Sequence, residues 1–336
     1  REEVSAEMRH DGKITDGGRT VYPIVVPTRR YNLRSYNFYL IEEAERLFLL
    51  DTGPDDGECK NALLETLSQN GFALHDLTGI VLTHHHDDHI GLVNWIVRQT
   101  GVPVFAHKDA VPRLRKGKEY RRSQLEFFKT LYREMGCDGP AARNHLENME
   151  HGKLDYWRYT VDGEVIPMSE GDSVGGMKVL ETPGHSPDHI ALYDAKRQWL
   201  FSGDHIIRHI SSNASVESDL QGNRLPTLVQ YAHALKKCGE LPVVLAFPGH
   251  GDFIEDCRVL IEQRLERLEE KCAAMLQLIE KGASTADQIA RLSYAKEYES
   301  LFFLVMSEVI GHLDYMETAG QIRKEKRNGV WHYTVL

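Results

Sequence analysis

The stretch that most restricts this chain is Thr83-His84-His85-His86-Asp87-Asp88-His89, which follows directly on the apolar Gly79-Ile80-Val81-Leu82. Those seven residues hold four of the chain's 17 histidines. The short apolar run predicts a buried strand. In extended backbone, residues two apart share a face, so His84 and His86 point one way and His85 the other. Asp88 and His89 fall where the next amphipathic segment begins, and Asp87 or Asp88 is placed to cap it. A strand end, a turn and a helix start can thus aim several side chains at one point. Two imidazoles and a carboxylate suit Zn, Fe or Mn better than Ca or Mg.

Three later segments supply the same kind of residue in the same setting. Thr182-Pro183-Gly184-His185 puts an imidazole after a tight turn. Leu200-Phe201-Ser202-Gly203-Asp204 puts a carboxylate at the end of an apolar run, and Phe247-Pro248-Gly249-His250 repeats the first pattern. Each delivers a metal-capable side chain where an open sheet would present one.

Strand and helix patterns alternate through the first half. "YPIVVPT", "YNFYLIE", "RLFLL", "GIVLT" and "PVFAH" read as strands. Asn61–Gln69 and the whole of "DHIGLVNWIVRQTG" read as helices, the second closed by Gly101. Residues 108–160 lose the strand signal and gain charge, which predicts an insertion with helices near Ser123–Met135 and Pro140–Met149. Strands return at "MKVLETPGH", "IALYDAK", "QWLFSGDH" and "LPVVLAFPGHG". A long helix follows over Glu255–Lys281, its apolar stripe Ile261, Leu265, Leu268, Cys272, Met275, Ile279 packed on the core or used as a dimer seam. A capping-box-like pair, Ser284 and Asp287, starts a tail with a helix from about Glu297 to Thr318 and a hairpin turning at Asn328-Gly329. That order resembles a small winged-helix module. The basic run Arg323, Lys324, Lys326, Arg327 fits either a nucleic-acid wing or an ordinary solvated hairpin tip.

With 41 % apolar and 27 % charged residues of both signs, the chain can bury a sizeable core. A net charge of −10 argues against wholesale nucleic-acid binding. Five scattered cysteines without a Cys-x-x-Cys pair argue against a disulfide scaffold and for a reducing, cytoplasmic compartment. No run of about 18 apolar residues marks a membrane span, and the opening "REEVSAEMRHDGK" lacks the apolar centre of a signal peptide.

Taken together, His-x-His-x-Asp-His at 84–89, Gly-His at 184–185, Gly-Asp at 203–204, Gly-His at 249–250 and "LLDTG" around Asp51 resemble the metallo-β-lactamase superfamily over residues 20–255. The form with Asp204 looks like its glyoxalase II-like (hydroxyacylglutathione hydrolase) and lactamase-beta-2-like hydrolase branch, a group that also includes a mitochondrial endoribonuclease. The resemblance implies an α/β fold: a four-layer αβ/βα sandwich with a helical insertion at about 108–160 and a C-terminal winged-helix-like module. The boundaries it suggests are 1–282 and 283–336. It implies two divalent ions, Zn foremost with Fe or Mn as alternatives. His84, His86 and His185 would form one site, Asp88, His89 and His250 the other, with Asp204 bridging. His85 and Asp87 are left as spacers. Asp51 would orient a ligand imidazole, and His189 and His205 would stand behind the site or meet substrate.

The chemistry so implied is hydrolysis by a metal-bridging hydroxide, with Asp88 and that metal-bound hydroxide as the catalytic groups. The first expectation is a thioester or related acyl ester of a small anionic substrate, because a thiolate leaves without a general acid. The alternative is cleavage of single-stranded RNA, which would use the basic and aromatic residues Arg113, Arg115, Lys116, Lys118, Tyr120, Arg121, Arg122, Phe127 and Tyr132. Tyr120, Arg121 and Arg122 are the candidate substrate contacts in either case. A lactonase, a β-lactamase and a non-catalytic sensor rank behind. Expected partners are the small anionic substrate, RNA on the alternative reading, and a second copy of the chain; no membrane is expected.

Overall fold

A computed structural model describes residues 9–10, 12–115, 117–151 and 160–336, without the side chains of residues 9, 10, 117, 118 and 121. Strands β1 (Arg9–His10), β2 (Lys13–Asp16), β3 (Arg19–Pro27), β4 (Ser35–Glu43), β5 (Arg46–Leu50), β6 (Gly79–Val81), β7 (Val104–His107) and β8 (Val165–Met168) lie side by side in that order. They pair antiparallel as far as β5 and parallel from β5 to β8. A second sheet contains β9 (Ser173–Val174), β10 (Met177–Glu181), β11 (Ile190–Asp194), β12 (Trp199–Gly203) and β13 (Leu245–Pro248), ordered β13-β12-β11-β10-β9. Only β12 and β13 run parallel there.

The helices are α1 (Gly57–Gln69), α2 (Asp87–Ile90), α3 (Val93–Thr100), α4 (Ala110–Arg115), α5 (Gly117–Glu134), α6 (Pro140–Glu150), α7 (Thr227–Gly239), α8 (Cys257–Glu280), α9 (Ala286–Ser293) and α10 (Phe302–Thr318). A hairpin of β14 (Ile322–Arg327) and β15 (Val330–Val335) follows.

The two sheets face each other because their strands alternate. In β4, Tyr39 and Ile41 point inward and meet Phe201, Phe247 and Trp199 of the second sheet. Tyr36, Phe38 and Leu40 point outward beneath α1 and α3. The outer face of the second sheet, with Leu180, Ala191, Leu200 and Ala246, is covered by α7 and α8. This is the four-layer αβ/βα sandwich expected from the resemblance. No helix among the described residues is long and apolar enough to cross a membrane.

Several expected elements differ in detail. The single helix expected over "DHIGLVNWIVRQTG" is two, α2 and α3. Gly91 separates them, and a Cβ there would lie 2.2 Å from Asp55 N and 2.4 Å from the Pro54 carbonyl carbon, so the chain turns against that backbone. α2 has His86 at its N-cap and no side-chain cap bond, so neither Asp87 nor Asp88 caps it. Among the described residues the insertion holds three helices rather than two, and α5 begins at Gly117 rather than Ser123. The end of the insertion, 152–159, lies outside the described residues.

In the tail the capping box is Thr285–Gln288, one residue on from the expected Ser284–Asp287. Asp287 turns inward instead, where its carboxylate accepts from Arg291 Nε at 2.8 Å and from the Tyr298 hydroxyl. The stripe on α8 is covered within the chain: Ile261, Leu268, Cys272, Met275 and Ile279 are buried with residues of α7, α9 and α10, so it is not left over as a dimer seam.

Candidate metal centre

Every candidate ligand stands at or just beyond the C-terminal end of a strand. His84 and His86 follow β6, and Asp88 and His89 open α2. His185, Asp204 and His250 follow β10, β12 and β13. Both sheets end along one edge of the sandwich, and that edge brings together residues up to 166 positions apart (His84 to His250).

His86 Nδ1 lies 3.0 Å from both His84 Nε2 and His185 Nε2. His250 Nε2 is 3.1 Å from Asp204 Oδ2 and 3.5 Å from Asp88 Oδ2. His89 Nε2 is 3.4 Å from Asp204 Oδ1 and 3.9 Å from Asp88 Oδ1. Asp204 also reaches the first group, with His185 Nε2 at 3.5 Å from Oδ2. Donors about 2.1 Å from a tetrahedral ion stand about 3.4 Å apart, so these separations suit shared cations. His84, His86 and His185 form one such group and Asp88, His89 and His250 another; His84, His89 and Asp204 overlap both.

The donor chemistry fits as well. Asp204 Oδ1, His89 Nε2 and His250 Nε2 are buried with no hydrogen-bond partner among the described residues. Such atoms are costly unless something else, here a cation, satisfies them. Burial and the neighbouring His89 and His86 hold His84 neutral, well below the usual histidine range. Burial and His86 lower His185 to about 4. Burial would raise the Asp204 carboxyl, but His250 and His89 outweigh it and keep it ionised. A metal requires neutral imidazoles and an ionised carboxylate. His84 and His185 are already in that form, whereas, against burial, Glu217 raises His86 and Asp204 raises His89 and His250, so ions bound there would displace protons.

The far nitrogen of each ring fixes its orientation. His89 Nδ1–H donates to Asp51 Oδ2 at 2.8 Å, and the same carboxylate accepts from Thr83 N–H and Oγ–H at 2.8 Å each. Asp51 holds this position with φ of 56°, a left-handed conformation that Asp tolerates better than most residues. His84 Nδ1–H donates to Thr83 Oγ1 (3.0 Å), and His250 Nδ1–H to the Ser35 carbonyl (2.8 Å). His185 Nδ1 lies 3.1 Å from the Asn213 carbonyl and 3.0 Å from Ser212 Oγ.

The other anticipated residues separate. His189 Nε2 accepts from Asp204 N–H at 3.0 Å and Nδ1 bonds Thr182 Oγ1 at 2.7 Å, so it holds the backbone of a candidate ligand. His205 is fully buried against Tyr231, 5.1 Å between ring centres, behind the cluster. His85 faces away from His84 and pairs through Nδ1 with Asp188 at 2.7 Å.

The insertion differs most from expectation. Tyr120 is buried, its hydroxyl accepting from Arg113 Nε at 3.1 Å. Arg113 is buried too, and Arg115 donates to the carbonyls of Val161 and Gly163. Tyr132 is buried and Phe127 half-buried. Arg122 is exposed, and the side chain of Arg121 is outside the described residues. Arg113, Tyr120 and Tyr132 are thus used inside the fold, while Arg115 is exposed like Arg122, and the side chains of Lys116 and Lys118 also lie outside the described residues. Three of the wing's four cations face carboxylates, Lys324 with Glu317 at 2.5 Å, Lys326 with Glu134 at 2.6 Å and Arg327 with Glu325 at 2.9 Å, while Arg323 donates to Thr334 Oγ1 at 3.3 Å.

Thr83 apart, the groups that orient the imidazoles and that sequence reading missed (Ser35, Ser212, Asn213) sit in segments with no motif of their own. Nothing local could have pointed to them.

The family model described as "Metallo-beta-lactamase superfamily" matches residues 31–250. The chain is 31 % identical over 281 residues to the probable metallo-hydrolase YqjP of Bacillus subtilis, spanning 83 % of this chain and 86 % of that protein. It is 25 % identical over 236 residues to the atrochrysone carboxyl ACP thioesterase nsrC of Aspergillus novofumigatus, spanning 70 % of this chain and 55 % of that protein. Its fold is shared with a metallo-beta-lactamase family protein of Thermus thermophilus, with a TM-score of 0.75 at 22 % identity, covering 94 % of this chain and 98 % of the other. With a family model matched over most of its length and its histidines and aspartates gathered at one sheet edge, the chain belongs to the metallo-beta-lactamase superfamily.

Proposed function

We propose that this chain is a binuclear, zinc-dependent hydrolase of the glyoxalase II-like branch. Its substrate would be a thioester, or a related acyl ester, of a small anionic molecule. One observation carries the binuclear reading: two groups of three donors meet at Asp204, whose Oδ2 stands 3.5 Å from His185 Nε2 of one and 3.1 Å from His250 Nε2 of the other. His84, His86 and His185 would hold one ion, Asp88, His89 and His250 the other, and Asp204 both. Two divalent ions bound there would lower the pKa of a shared water toward about 7 and polarise the acyl oxygen.

The chain's own residues do the rest. Asp51, Thr83, Ser35 and Asn213 keep the imidazoles turned inward. Burial of His84, His89, Asp204 and His250 excludes bulk water from the inner side of the centre. Asp88 is the more exposed of the two site carboxylates, which suits it to take the proton of the attacking water. Attack forms the carbon–oxygen bond, the carbon–sulfur bond breaks, and the thiolate departs without needing a proton from the protein.

A relative named as a thioesterase supports the acyl reading. Internal use of Arg113 and Tyr120 takes two residues away from an RNA surface. Five unpaired, buried cysteines suit a reducing cytoplasm. The test is a parallel assay of acyl-CoA, acyl-glutathione, lactone and single-stranded RNA with zinc-, iron- and manganese-loaded protein. Thioesters should be turned over fastest; RNA or lactone turnover exceeding theirs by tenfold would overturn the reading.

A further inference from the structure

The three imidazoles of the first group are supported from different places. His84 leans on its neighbour Thr83, whereas His86 and His185 are both reached by one short segment, Ser212–Ser218. Ser212 and Asn213 contact His185. His86 turns Nδ1 toward the other two rings, so its Nε2 carries the hydrogen, and Nε2 lies 3.9 Å from Glu217 Oε1.

Glu217 is 7 % exposed; His85 also stands near its carboxylate, and the insertion supplies two further partners. The Tyr120 hydroxyl is 3.4 Å and Arg113 Nε 3.9 Å from Oε2. Arg113, 4 % exposed, is itself held by the Asp109 carbonyl at 2.8 Å and the Ser218 carbonyl at 3.1 Å. A buried carboxylate of this kind is tolerated because a fixed cation faces it. The backbone on either side is pinned by the two additions to the sandwich. Val216 N–H donates to Ser307 Oγ of α10 at 3.1 Å, and Gln124 Nε2 of α5 donates to Ser218 Oγ at 3.0 Å.

We propose that Glu217 is a positioning residue for His86, and that the insertion and the C-terminal helix set the metal affinity of the His84–His86–His185 site through the Ser212–Ser218 segment. A carboxylate opposite Nε2–H selects the tautomer that leaves Nδ1 free and makes that nitrogen a better donor. Arg113 and Tyr120 keep the carboxylate from turning away. This inference rests on the reading of those three histidines as ligands.

The test is zinc affinity by chelator competition on the full chain, with the visible spectrum of the cobalt-substituted protein as a second readout. Glu217→Leu should weaken one of two metal equivalents by about 10–100-fold, leave the other unchanged and alter the cobalt bands. Glu217→Gln keeps an oxygen that can accept from Nε2–H and should recover most of the loss. Ser307→Ala, which removes one hydroxyl far from the metals, should weaken the same equivalent by a smaller factor and covers the case in which Glu217→Leu does not fold. Unchanged affinities in all three variants, or equal loss of both equivalents together with thermal stability, would overturn the inference. A wild-type chain that binds no metal would overturn the ligand reading itself, and the inference with it.

Discussion

At the scale of single residues, Asp204 is the most exposed to test, because both donor groups meet on it. Asp204→Ala should reduce hydrolysis by at least about three orders of magnitude, the equivalent of roughly 4 kcal/mol of transition-state stabilisation. Circular dichroism should stay native while metal content falls below the wild-type value. Asp51 acts at one remove. Asp51→Ala leaves His89 Nδ1–H and the buried Thr83 N–H without their acceptor, so metal affinity should fall by about 10–100-fold and stability by about 1–3 kcal/mol. Chelator competition and denaturant unfolding separate the two losses. Gly249 shows how close the backbone comes: a Cβ would stand 2.4 Å from Asp204 Oδ1 and 2.8 Å from His89 Cε1. Gly249→Ala should therefore displace both side chains, lower metal occupancy and cost about 1–3 kcal/mol in a thermal melt.

At the scale of elements, the core strands were legible because their periods are short and their partners apolar. The insertion was not. Its charges suggested a surface, yet Arg113 is buried against the Ser218 carbonyl and Tyr120 packs inward, since amphipathic helices can bury long polar side chains when internal partners exist. His145 of α6 makes the contact between insertion and tail measurable. Its ring stacks on Phe303 of α10 with centres 5.4 Å apart, and its Nδ1 bonds the Tyr132 hydroxyl at 2.9 Å. Burial lowers its pKa from 6.5 to about 4. Between those values the unfolded chain takes up a proton that the folded chain refuses. The contribution is thus present in full above about pH 6.5 and is lost as pH falls toward 4. His145→Phe keeps the stacking and removes that proton, so the difference in unfolding free energy between variant and wild type should shift in favour of the variant by on the order of 2 kcal/mol between pH 7 and pH 4.

At the scale of the whole molecule, the tail shares its core with the rest. Ile289, Val309, Ile310, Leu313 and Tyr333 are buried in one cluster with residues of α5, α6, α7 and α8. The resemblance suggested a module beginning at 283; this packing leads us to expect that it does not melt separately. Calorimetry on the full chain should show one transition. Removal of 283–336 should yield aggregating protein, because the cut would bare the apolar faces of α7 and α8.

The sequence by itself determined the candidate donors and their order along the chain. Strand-end motifs with glycine and proline place imidazoles and carboxylates locally, and local geometry is what a linear pattern records. It also determined most of the core strands; that two sheets face each other was what the resemblance implied. Only the tertiary structure decided what surrounds the donors. The partners of His86, His185 and His250 come from segments far away in sequence, brought to the site by the closing of the sandwich and by two helical additions packed over it. Such contacts leave no periodic trace, because each depends on one residue meeting another across the fold rather than on a repeating face.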